Sequence, residues 1–110
     1  MKPVLDLLRY EREDGTVPLE RWLLSLRDLK AQARVRVRLQ QLRFGNFGDC
    51  VSVGEGIVEL RIHLGPGYRV YCGRDGQTVV VLLSAGDKHT QAADIRQAKA
   101  YWNHWKRSVR

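Results

Sequence analysis

The chain has 110 residues, 44% of them hydrophobic, and a formal net charge of +7. That length suits one domain, residues 1–110, with a core of its own and no need of disulfide or metal staples. No apolar run approaches the roughly 20 residues of a membrane span, the start MKPVLDLLRYERED lacks the apolar stretch of a secretion signal, and two isolated cysteines, Cys50 and Cys72, fit a reducing cytoplasm.

In chain order, Pro3–Tyr10 reads as a first strand, with Val4, Leu5, Leu7 and Leu8 nearly continuous. A charged turn over Glu11–Gly15 precedes Thr16, a candidate N-cap, and Pro18, which suits the first turn of a helix. Leu19, Trp22, Leu23 and Leu26 follow at helical spacing. Asp28 is placed to cap a second helix over residues 29–43, where Ala31, Val35, Leu39 and Leu42 form one apolar stripe. The pair predicts an antiparallel helical hairpin. Phe44–Gly56, with four glycines, reads as an irregular connection.

Residues 57–72, IVELRIHLGPGYRVYC, predict two antiparallel strands around a Gly65-Pro66-Gly67 turn. Val58, Leu60, Ile62 and Leu64 alternate with Glu59, Arg61 and His63, the period of a half-buried strand. A three-residue loop would pair Leu64 with Tyr68, Ile62 with Val70 and Leu60 with Cys72. His63 would then oppose Arg69, and Arg61 would oppose Tyr71. No slip by one residue keeps both faces pure, so this register is self-consistent. Arg61, His63, Arg69 and Tyr71 gather on one face. Asp75-Gly76 reads as a two-residue hairpin turn, and Thr78–Ser84 as a strand covered on both sides. The loop Ala85–His89 leads to a last helix whose Ile95, Ala98, Trp102 and Trp105 share one side. The order is strand, two helices, three antiparallel strands, helix: a small α+β domain.

The charge is uneven. Residues 1–28 hold five basic and six acidic groups, residues 29–48 hold five basic and none acidic, and residues 61–110 hold nine basic and three acidic. A polyanion is the simplest partner for such a surface. The histidines at 63, 89 and 104 lack metal-ligand spacing, so neither a metal nor another cofactor is expected.

The run GxxELRIHxGPGYRVYxG ending at Gly73, then VVLLxxGDKxTQ (Val80–Gln91) and DIxxAxxYW (Asp94–Trp102), resembles the RelE/ParE superfamily of toxins. It is most similar to the HigB-like branch of phage-derived addiction-module killer proteins. LERWLLSL (Leu19–Leu26) and RLxQLRFGNFGD (Arg38–Asp49) fit that branch too. His89 departs from it, standing where relatives more often carry a small polar residue, and Ala85 stands where glycine is common.

The resemblance implies the RelE-like fold and the toxin of a type II toxin–antitoxin module: a metal-independent mRNA endoribonuclease acting on the ribosome and inhibiting translation. It implies a cognate helix-turn-helix antitoxin, a possible higher-order toxin–antitoxin complex, no membrane partner and a cytoplasmic location. The same fold also carries ParE-like gyrase poisons, and a catalytically inactive antitoxin-binding co-repressor is a third reading.

Metal-free RNA cleavage needs a base for the 2′-hydroxyl, an acid for the leaving 5′-oxygen, and positive charge on the phosphorane. Guanidinium groups suit the last task, which makes Arg61 and Arg69 candidates unless Glu59 takes up an arginine. Lys88, in the GDKxTQ motif, could bind phosphate or relay a proton, or simply face water. His63 could exchange a proton, and Tyr71 could stack on a base or cover the sheet. Arg34, Arg38, Arg43, His89 and Arg96 are the candidates for wider RNA contact.

Overall fold

The computed structural model describes residues 4–109. Strand β1 (Asp6–Arg9) is followed by helices α1 (Pro18–Ser25) and α2 (Leu29–Gln40), and a 3-10 turn over Gln41–Phe44. Four strands come next: β2 (Cys50–Gly54), β3 (Ile57–Ile62), β4 (Tyr68–Asp75) and β5 (Val79–Asp87). A short 3-10 turn, Lys88–Thr90, leads into α3 (Gln91–Ser108). The strands form one sheet in the order β1-β5-β4-β3-β2. β1 runs parallel to β5 and the other pairs are antiparallel, so the α+β class stands but the sheet is mixed.

The two faces of the sheet bury separate cores. One packs Leu60, Ile62, Val70, Cys72, Val80 and Leu82 against Leu19, Leu23, Val35 and Leu39 of the two helices and Leu42 of the 3-10 turn. The other packs Tyr71, Val81 and Leu83 against Ala98 and Trp102 of α3, with Ile95 and Trp105 alongside. Gly73 makes the second contact possible: a Cβ there would lie 2.5 Å from the Trp102 ring. Burying such side chains contributes about 1.5–3 kcal/mol apiece. β5 has buried residues from both cores, as its continuous apolar run predicts.

Several local expectations are corrected. Pro3 lies outside the described residues, and β1 is shorter than its apolar run. The first helix is capped at Val17 without a side-chain bond, with Pro18 at its first position; the Thr16 amide instead donates to the Asp14 carboxylate. Asp28 caps α2 as expected, accepting from the amides of Lys30 and Ala31. α2 ends at Gln40, and the chain tightens into the 3-10 turn.

The stretch 44–56 is not wholly irregular. It contains β2, an edge strand with a bulge between Ser52 and Gly54. Glu55 and Gly56 link it to β3 with φ of 59° and 82°, positive at both central positions of a tight hairpin turn. The meander therefore has four strands. The β3–β4 register is displaced by two residues: Ile62 pairs with Tyr68, Leu60 with Val70, Arg61 with Arg69, and Glu59 with Tyr71. A two-residue shift preserves parity, so each side chain stays on its expected face while its partner changes. The next turn is likewise longer, because Asp75 pairs with Val79 and leaves Gly76-Gln77-Thr78 as the loop. β5 runs on to Asp87, through the segment expected to be a loop.

Candidate functional site

α3 covers only part of its sheet face with apolar side chains. Toward its N-terminus the face is polar, and Glu59 lies at its centre with 0% exposure. A buried carboxylate is costly unless matched by donors and positive charge. Here Oε1 accepts from Arg61 Nε at 3.0 Å and lies 4.0 Å from Arg69 Nη1. Oε2 accepts from the Tyr71 hydroxyl at 3.0 Å and from Gln91 Nε2 at 2.9 Å. Burial pushes the Glu59 carboxyl up, but the bonds from Gln91, Arg61 and Tyr71 and the Arg69 charge outweigh it and hold it below its ordinary value. The expectation that Glu59 takes up an arginine is met by Arg61, while the full burial of that carboxylate and the donor Gln91 went unassigned from sequence.

Tyr71 is corrected as a site residue. It is fully buried, and burial together with the Glu59 charge pushes its hydroxyl well above the ordinary tyrosine range. It braces the carboxylate and offers no ring face for a base to stack on. Arg61 and Arg69 are both bound to Glu59, yet one carboxylate serves two guanidinium groups. Arg69 is 12% exposed in its side chain, and its buried Nε has no hydrogen-bond partner among the described residues.

Beyond this network an open cleft of about 390 Å³ is lined by Ile62, His63, Leu64, Gly65, Pro66, Gly67, Arg69 and Lys88. The amide of Lys88 donates to the Gly67 carbonyl at 3.0 Å, which ties the end of β5 to the β3–β4 turn. Asp87 caps the turn that follows by accepting from the His89 amide at 2.8 Å. Lys88 is exposed at the cleft wall, and the His89 ring lies 3.6 Å from the Asp87 carboxylate. His63 belongs to the turn rather than to β3, and its Nε2 is hydrogen-bonded to Asp49. That bond is the main cause holding the Asp49 carboxyl below its ordinary range.

The structure thus brings together Arg69, Lys88 and His63, with Arg61 one carboxylate away and His89 adjacent in the chain. The other basic candidates are dispersed. Arg34 is exposed on α2 and Arg96 on α3, and neither lines the cleft. Arg43 lines a separate groove of about 500 Å³ between β1 and α2. Arg38 is turned inward, its Nη2 donating to the carbonyls of Phe47 and Asp49, so its guanidinium holds a loop rather than standing free for RNA. Among the described residues no three His, Cys, Asp or Glu side chains cluster as metal ligands, and no helix is long and apolar enough to cross a membrane.

Fold and site together define a small α+β domain with a basic cleft at the open end of a mixed sheet. No family model matches the chain, and no solved structure matches it. An uncharacterized protein of Haemophilus influenzae is 50% identical over 84 residues, which span 76% of this chain and 85% of that protein. The chain belongs to the same family as that protein.

Proposed function

We propose that this protein is a RelE-like toxin of a two-gene toxin–antitoxin module and cleaves mRNA in the cytoplasm, on the ribosome. The observation that carries the reading is the convergence of Arg69, Lys88 and His63 on one cleft beside Arg61. The resemblance of the ELRIH, GPGYRVY and GDKxTQ segments supports it, because those three segments supply the site.

In this reading the 2′-oxygen of a ribose attacks the adjacent phosphorus. The new P–O2′ bond forms, the P–O5′ bond breaks, and a 2′,3′-cyclic phosphate and a 5′-hydroxyl result. The guanidinium groups of Arg61 and Arg69 stabilise the charge that grows on the non-bridging oxygens. His63 and Lys88 are the groups available for proton transfer, since Tyr71 is occupied with Glu59. The ribosome holds the message in place and supplies the alignment that a small open cleft lacks. The natural partner is a helix-turn-helix antitoxin.

The test is controlled expression of the chain alone, with pulse labelling and primer extension on an abundant mRNA. Loss of translation with new 5′ ends inside coding regions is expected, and Arg69→Ala should abolish both while the fold persists. Loss of DNA synthesis with intact mRNA would replace this reading with gyrase poisoning.

A further inference from the structure

Resting on that reading, we propose that Asp49 is a positioning residue that fixes His63 as the base for the 2′-hydroxyl, with Arg38 buttressing the loop that presents it. Fourteen residues separate Asp49 from His63, and the structure closes that gap through backbone as well as side chain. The Asp49 carbonyl accepts from the Arg61 amide at 2.9 Å, which docks the loop onto the end of β3. The same carbonyl accepts from Arg38 Nη2 at 3.1 Å. Arg38 lies directly over Gly48, whose φ is 58° and where a Cβ would come 2.8 Å from Nη2. The glycine is needed both for the turn and for the close approach of the guanidinium. Asp49 is therefore held by its main chain on two sides, and only its carboxylate is left to engage the turn.

An ionised carboxylate accepts and cannot donate. When neutral His63 gives Nε2–H to Asp49, its lone pair is at Nδ1, and Nδ1 has no protein partner among the described residues. His63 also lines the cleft with Arg69 and Lys88. The balanced step follows: Nδ1 takes the proton of the 2′-hydroxyl as the P–O2′ bond forms, and Lys88 protonates the departing 5′-oxygen. The imidazolium left behind is stabilised by Asp49, the logic of any carboxylate–histidine–nucleophile relay. Both partners are largely solvent-exposed, and an exposed ion pair contributes little to folding. A loss of rate on removing Asp49 would therefore not be a loss of fold.

The experiment is single-turnover cleavage of mRNA on programmed ribosomes by the purified chain and five variants, Arg69→Ala among them. His63→Ala should lower the rate at saturation about 100-fold. Asp49→Ala should lower it about 10- to 100-fold with half-saturation unchanged, and Asp49→Glu should restore part of it. In the His63→Ala background, Asp49→Ala should cost nothing further, since the two act as one unit. An NMR titration of the Asp49 carboxyl in His63→Ala, which removes the donor, should show it return toward its ordinary range. Equal losses that multiply in the double variant would overturn the proposal, as would full activity of Asp49→Ala beside a dead Arg69→Ala. Absence of cleavage by the unaltered chain would overturn the function reading itself, and the proposal with it.

Discussion

The sheet face beneath α3 has two ends made from the same strands, and they are closed by opposite means. At one end Trp102 lies on the bare backbone of Gly73, with Val81, Leu83 and Ala98 around it. At the other, a single buried carboxylate gathers two guanidinium groups, a phenol and an amide. The apolar end needs only shape. The polar end needs every donor satisfied, because an unmatched buried charge costs more than a cavity of similar size. A helix that starts at the polar end can leave a basic cleft open at its margin. The same helix laid over the apolar end closes it.

The sharpest break of that comparison is Glu59→Ala. It should destabilise the fold by about 3–5 kcal/mol, by leaving buried donors and charge without their acceptor, and chemical denaturation measures it. A loss below 1 kcal/mol would mean the arginines simply swing into water. Gly73→Ala should cost less, about 1–3 kcal/mol, because the Trp102 ring must shift while no charge is stranded. It should leave the cleft residues unmoved.

The smallest effect is in pH. Glu59 is held below its ordinary value of 4.5, so its contribution is complete above that value and is lost as pH falls through its folded value. Glu20 is displaced in the same direction by its bond with Arg36, so the informative quantity is a difference. Unfolding midpoints of the unaltered chain should fall faster between about pH 5 and pH 3 than those of Glu59→Gln. Parallel curves would show that folding does not shift the Glu59 carboxyl, and a midpoint that falls more slowly than in Glu59→Gln would show that it is held neutral in the fold.

What the residues revealed in advance, and what they hid, follows the range of the interactions. Asp28 could be read as a cap because its partners lie two and three residues away. The faces of β3 and β4 could be read from alternation, yet their register could not, because a slip of two residues leaves alternation intact. Alternation also marks which face a residue occupies without saying whether that face is wet. Alternation left Tyr71 open between stacking on a base and covering the sheet, and it gave Glu59 an arginine without its burial; the docking of α3, whose Gln91 lies 32 residues beyond Glu59, buries them both. β2 was concealed by its flanking glycines and short length. Arg38 and Asp49 were concealed because nothing local distinguishes an arginine that turns inward from one that faces water.

The central claim is that the polar end of this face is an anion cleft centred on Arg69, Lys88 and His63. Amide and side-chain NMR of the chain titrated with a short RNA carrying 2′-O-methyl riboses, which cannot be cleaved, tests it most directly. The account predicts shifts confined to residues 61–69 and 86–91, weakening with salt as phosphate contacts require, and abolished in Arg69→Ala. Shifts concentrated instead around Arg36 and Arg43 in the groove between β1 and α2 would contradict it.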